Sequence, residues 1–188
     1  MDKQLHKGAG SMNKALIVLD VQAGIVSQRD VTGTIHAIES VIRDFEARNE
    51  PMVFIRHLDY EQEGSPLFHT KVDNLRFVVD SGQHQVVDKS KPNAFSNPAL
   101  KSWLRDHQVE HIFIIGFNTE YCCLFTAIAA EHEGFKVTLI EDATGTVNTA
   151  ETYEMPGLDI QDFIGSVLNW SGCIEVLYVD EYRELYSK

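Results

Sequence analysis

The chain is poor in cysteine, in basic charge and in long apolar runs, and each scarcity excludes something. Only Cys122, Cys123 and Cys173 occur among its 188 residues. None forms a metal-type C-x-x-C pair, and a bridge between adjacent Cys122 and Cys123 would close a strained ring. A disulfide scaffold is thereby excluded, and a reducing cytoplasm is the expected compartment. Sixteen Lys and Arg against 28 Asp and Glu leave a net charge of −12, a field that repels phosphate backbones and anionic lipid. Nucleic acid and membrane are therefore not expected partners. The longest apolar stretches, Ala15 to Leu19 and Ile112 to Ile115, fall far short of the roughly 20 residues a bilayer requires. Residues 1–13 lack the apolar segment of a secretory signal and read as a flexible leader or cloning scar.

What is present suits a packed core. A hydrophobic content of 44% in a chain too short for two ordinary domains points to one domain over residues 14–188. Lys14 to Asp20 (KALIVLD) reads as a strand buried on both faces. Ile35, Ile38, Ile42 and Phe45 then recur at helical spacing until Pro51, which precedes a second strand at Met52 to His57. Leu58 to Gly82 has no clear period and is too long for a plain connection, which suggests a functional loop or lid. A third strand is expected at Gln85 to Asp88, followed by a helix capped by Asn97 with Pro98 in its first turn. Leu100, Trp103 and Leu104 form its apolar face.

His111 to Gly116 predicts a fourth strand, and Tyr121, Leu124, Phe125, Ile128 and Ala129 predict a helix with that apolar face. A fifth strand at Lys136 to Glu141, a helix with Ile160, Phe163, Ile164, Val167 and Leu168 on one face, and a sixth strand at Ile174 to Tyr178 complete the series. Alternation of this kind predicts a three-layer α/β/α fold with a six-stranded, mainly parallel Rossmann-like sheet. Ligands in such sheets sit beyond the carboxyl ends of the strands, near the point where strand order reverses.

Three reactive side chains fall at those ends: Asp20 after the first strand, Lys89 after the third and Cys122 after the fourth. If Thr119 caps the following helix, its first-turn N–H groups favour a Cys122 thiolate. An aspartate nearby can take the thiol proton, and a lysine can hold both groups in their ionised forms. Taken singly, each has a plainer reading: a small buried hydrophobe, a loop-satisfying carboxylate, a solvated surface lysine. The combination points to a cysteine hydrolase.

These residues give the chain a likeness to a known family. Ala15 to Gln22 (ALIVLDVQ), Lys89 to Phe95 (KSKPNAF) and Gly116 to Cys122 (GFNTEYC) resemble segments of the isochorismatase-like cysteine hydrolases, which include nicotinamidases. Gly134-Phe135 and Asp142-Ala143 also fit, while Cys123 stands where a valine is usual. The resemblance implies an Asp20, Lys89, Cys122 triad, choosing Lys89 over Lys91 by its six-residue spacing to Phe95. It also implies a cis peptide between Phe117 and Asn118, with the Asn118 and Cys122 N–H groups forming an oxyanion hole. Gln22, His57, Phe95 and Tyr121 are candidate pocket residues. The nicotinamidase metal motif D-x-H is absent, since the chain offers Arg56-His57-Leu58-Asp59 and a distant His69; no metal and no organic cofactor are expected.

The expected activity is hydrolysis of a small amide or related C–N bond through a thioester. An isochorismatase-type vinyl ether hydrolase, a metal-assisted nicotinamidase and a non-catalytic metabolite-binding domain are the alternatives. The resemblance implies a homo-oligomer, a dimer or larger.

Overall fold

A computed structural model of the chain describes residues 12–186. Of the expected leader, residues 1–11 lie outside this range, and Asn13 O already accepts from the Glu110 and His111 N–H groups at 2.9 and 3.1 Å. The elements run β1 (Lys14–Leu19), α1 (Ala23–Val26), α2 (Thr32–Ala47), β2 (Met52–His57), α3 (Val72–Leu75), β3 (Gln85–Lys89), α4 (Pro98–Asp106) and β4 (His111–Phe117). A π-helical turn at Thr119–Cys123 then leads into α5 (Leu124–His132), β5 (Lys136–Gly145), α6 (Ile160–Trp170), β6 (Glu175–Leu177) and α7 (Val179–Tyr186). The strands form one sheet in the order β3-β2-β1-β4-β5-β6, parallel at every pairing.

Alternation along β1 divides the core into two layers. Leu16 and Val18 pack with Ile38, Val41, Ile42 and Phe45 of α2 and Tyr182 of α7. Ala15, Ile17 and Leu19 pack with Leu100 and Leu104 of α4, Ala127 and Ala130 of α5 and Leu168 of α6. Both faces of the sheet are therefore dry, which is why its strands read as unbroken apolar runs. No helix among the described residues is long and apolar enough to cross a membrane.

Three expectations need correction. α7 was not anticipated; its buried Val179 and Tyr182 close the α2 layer, Tyr182 stacking 6.3 Å from Phe45. α5 is rotated from its predicted face: Ala127 and Ala130 turn inward, while Tyr121, Phe125 and Ile128 are exposed. Small residues let this helix approach the sheet closely, so its large apolar side chains are left outside. In α6, likewise, Phe163 and Val167 are exposed, and Ile160 and Leu168 carry the burial. The aperiodic segment after β2 is anchored rather than loose, with Leu58, Leu67, Leu75 and Val79 buried in the α2 layer and the Val78 N–H donating to Val21 O at 3.0 Å.

At the amino end of the sheet, buried His111 places Nε2 2.7 Å from Thr138 Oγ1, while its Nδ1 has no partner among the described residues. Burial first, then the charges of Lys136 and Lys14, lower its pKa to about 3. The unfolded chain binds this proton near pH 6.5, at the ordinary histidine value. Between these two values the unfolded state holds more protons, so stability rises with pH there. Unfolding free energy is expected to be fully retained above about pH 6.5 and to decline as pH falls toward 3. His111→Gln should flatten that slope in denaturant titrations across this range; equal slopes in both proteins would assign the proton elsewhere.

Candidate active site

The sheet order reverses between β1 and β4, and the polar cluster lies at that reversal. Asp20 follows β1 with a left-handed backbone (φ 51°), a conformation that aspartate tolerates better than most residues. Lys89 is the last residue of β3. Cys122 arrives from β4 through Gly116, whose φ of 122° no side chain would accept. A Cβ there would lie 2.0 Å from Leu19 O, so glycine is what lets the end of β4 close against β1. The Phe117–Asn118 peptide is cis, and the π turn then carries Cys122.

These elements bring the three side chains together around one nitrogen. Lys89 Nζ donates to Asp20 Oδ2 at 2.7 Å and to Cys122 Sγ at 3.2 Å, and it lies 2.9 Å from His57 Nδ1. The side chains of Asp20 and Lys89 are wholly buried, and Cys122 is 9% exposed. Asp20 Oδ1 has no hydrogen-bond partner among the described residues. A buried carboxylate oxygen without a partner is costly to keep, and beside a thiol it is a ready proton acceptor.

Charge follows from this packing. Burial opposes the Lys89 charge, but Asp20 and Cys122 outweigh that cost and hold its pKa above the ordinary lysine value. Burial and then the Asp20 carboxylate push the Cys122 thiol well up, with Lys89 offsetting only part. The expected helix-stabilised thiolate is therefore corrected: in a dry site, burial and a facing carboxylate outweigh a helix end. Thr119 is not a cap either. Its hydroxyl donates to Thr144 Oγ1 at 3.1 Å, tying the turn to β5. Burial and the Lys89 charge lower the pKa of His57, keeping the ring neutral.

The other candidate residues separate. Gln22 is a clamp: the His57 N–H donates to its Oε1 at 2.8 Å, and its Nε2 donates to His57 O at 3.1 Å and to Leu75 O at 3.3 Å. Phe95 packs at the edge of the core, 6.1 Å from the Phe135 ring, and Tyr121 is 42% exposed. Glu120 was not anticipated. Its Oε1 accepts from Thr146 Oγ1, Asn148 Nδ2 and Tyr153 OH at 2.7 to 2.9 Å, fastening the Cys122 turn to the loop after β5. Its position between Thr119 and Cys122 was the only signal in the sequence. A cavity of about 510 Å³ lined by Arg29, Thr34, Asn148 and Asp159 among others touches none of the triad.

The residues that would have to hold a nicotinamidase-type metal do not fit one. Asp59 Oδ1 accepts from the Glu61 and Gln62 N–H groups, His69 stacks on Tyr60, and His57 turns Nδ1 toward Lys89. Among the described residues, the one grouping of donors with metal-like spacing is Asp20, His57 and Cys122. The Lys89 ammonium lies against all three, in the place a cation would take.

Residues 14–156 match the family model described as the isochorismatase domain, and the chain belongs to that family. It is 34% identical over 100 residues to the nicotinamidase of Escherichia coli K12, covering 49% of this chain and 46% of that protein. It is 29% identical over 137 residues to the streptothricin hydrolase of Streptomyces noursei, covering 71% and 54%. The matches thus span about half the length of these two relatives. A solved structure from Burkholderia xenovorans LB400, provisionally named an isochorismatase, superposes with a TM-score of 0.78 at 27% identity, covering 92% of this chain and 86% of that one.

The clamp carries a stability prediction. Gln22→Met leaves both backbone groups of His57 without their side-chain partner, and unpaired groups of this kind cost about 1 to 3 kcal/mol. Chemical denaturation should register a loss of that size; an unchanged midpoint would mean that water replaces the clamp.

Proposed function

From membership of the isochorismatase family and the convergence on Lys89, we propose that the protein is a cysteine hydrolase of small amides or related C–N substrates. The observation that carries this reading is the unpartnered Asp20 Oδ1 in the same buried cluster as the Cys122 thiol. At rest the thiol is protonated. As Sγ attacks the amide carbonyl carbon, Asp20 takes the thiol proton, and the Asn118 and Cys122 backbone N–H groups hold the developing oxyanion. Asp20 then protonates the leaving nitrogen, the C–N bond breaks, and a thioester remains on Cys122. A water deprotonated by Asp20 attacks the thioester, the acid departs, and the proton returns to sulfur.

Throughout, Lys89 donates both to Asp20 Oδ2 and to Sγ. The Asp20 carboxylate, present at rest and in the thioester, and any negative charge that develops on sulfur during attack and departure are therefore paired with an ammonium. No step requires a metal or an organic cofactor. Three free cysteines suit a cytoplasmic setting. A homo-oligomer accords with the apolar side chains left outside, Phe125 and Ile128 on α5 and Phe163, Val167 and Trp170 on α6.

Ammonia release from a panel of small primary amides tests the activity, with Cys122→Ala abolishing it. Lys89→Met should lower kcat by about 10² to 10³, the range for losing one oriented electrostatic donor, whereas exposed Lys91→Met should be silent. Turnover of isochorismate but of no amide would favour the vinyl ether reading. Equal effects at Lys89 and Lys91 would refute the role given to Lys89.

A further inference from the structure

The hydrogen bonds of Lys89 fix more than the triad. An ammonium has three protons, and here three acceptors receive them: Asp20 Oδ2, Cys122 Sγ and His57 Nδ1 at 2.7, 3.2 and 2.9 Å. A nitrogen facing an ammonium can only accept, so the neutral His57 ring must carry its proton on Nε2. That Nε2 has no hydrogen-bond partner among the described residues. His57 is also the member of the cluster that reaches solvent most openly, and one of its ring nitrogens lies within 4.8 Å of Cys122 Sγ and of an Asp20 oxygen. Its backbone is held at both N–H and C=O by Gln22, which limits the directions the ring can take. Of the neighbouring charges, Arg56 pairs with Asp88 at 2.7 and 2.9 Å, while the Asp59 carboxylate, whose Oδ1 accepts from two backbone N–H groups, acts on the His57 ring through its charge and without a hydrogen bond.

We propose that His57 is the specificity-determining donor of this site. Its Nε2–H binds a hydrogen-bond acceptor on the substrate, selecting small amides that carry such an acceptor near the scissile carboxamide. This rests on the amide hydrolase reading. Lys89 fixes the tautomer, Gln22 positions the ring, and of these three only His57 binds the substrate's distal acceptor. A site built to satisfy such an acceptor discriminates against the analogue lacking it, because the donor is then left unpaired.

Two measurements test the assignment. The first is two-bond ¹H–¹⁵N correlation of the histidine rings at pH 7.5, with the His57 signals identified by their loss in His57→Asn. The expected pattern is a neutral ring protonated on Nε2; protonation on Nδ1, or on both nitrogens, overturns the role of His57. The second compares kcat/KM for matched amides with and without the acceptor, such as pyridine-3-carboxamide and benzamide. The wild type should favour the acceptor-bearing member by about tenfold or more. In His57→Asn, whose side-chain oxygen can still accept from Lys89 but whose shorter amide N–H groups do not reach the Nε2 position, that ratio should collapse to within about twofold. An equal loss on both amides, with the ratio intact, marks His57 as structural and overturns the proposal. Turnover of neither amide by the wild type overturns the substrate assignment together with the amide reading. The tautomer result is independent of turnover, so the two failures are distinguishable.

Discussion

One buried ammonium organises this molecule's chemistry. Removing a lysine charge from water costs several kcal/mol unless close partners compensate it, and Lys89 is compensated on three sides by Asp20, Cys122 and His57. The dependence is mutual. Without Lys89 the wholly buried Asp20 would be an isolated carboxylate, and the Cys122 thiolate would form against both burial and a facing negative charge. The site therefore behaves as one electrostatic unit.

The fold exists, for this purpose, to bring three strand ends to one point. A parallel sheet aims all its carboxyl ends the same way, and the reversal of strand order between β1 and β4 opens a place there for side chains to meet. Local departures from regular structure then set the final positions. Asp20 takes a left-handed turn, Gly116 admits the close passage of the β1 backbone, and the π turn after Asn118 is fastened by Thr119 and Glu120 to β5 and the loop beyond it. Each is a short-range device acting on a scaffold fixed by long-range packing.

Much of this was legible in the residues. Runs such as ALIVL and HIFIIG read as doubly buried strands because nothing else accommodates so much apolar surface in so few residues. Lys89 and Lys91 lie two apart on an extended segment, so alternation did not separate them; the resemblance to the family, through its spacing to Phe95, did, and the structure places Lys89 inside and Lys91 outside. The faces of α5 and α6 were misread because periodicity reports where apolar residues cluster, not which side the sheet will accept. Ala127 and Ala130 won through close approach. The Gln22 clamp joins residues 35 positions apart, a distance at which local pattern carries no signal. The Cys122 charge state was misjudged for a related reason: a helix end is visible in sequence, while the degree of burial that outweighs it is not.

The central claim is that Lys89 is a charged, fully hydrogen-bonded ammonium in the folded protein, and lysine Nζ NMR addresses it directly. Selective ¹⁵N labelling, with Lys89 assigned through Lys89→Arg, should reveal a slowly exchanging NH₃⁺ group. That group should remain protonated beyond pH 10.5, the ordinary lysine value. A Lys89 signal characteristic of a neutral amine at pH 8, or one exchanging as freely as a surface lysine, would contradict the account.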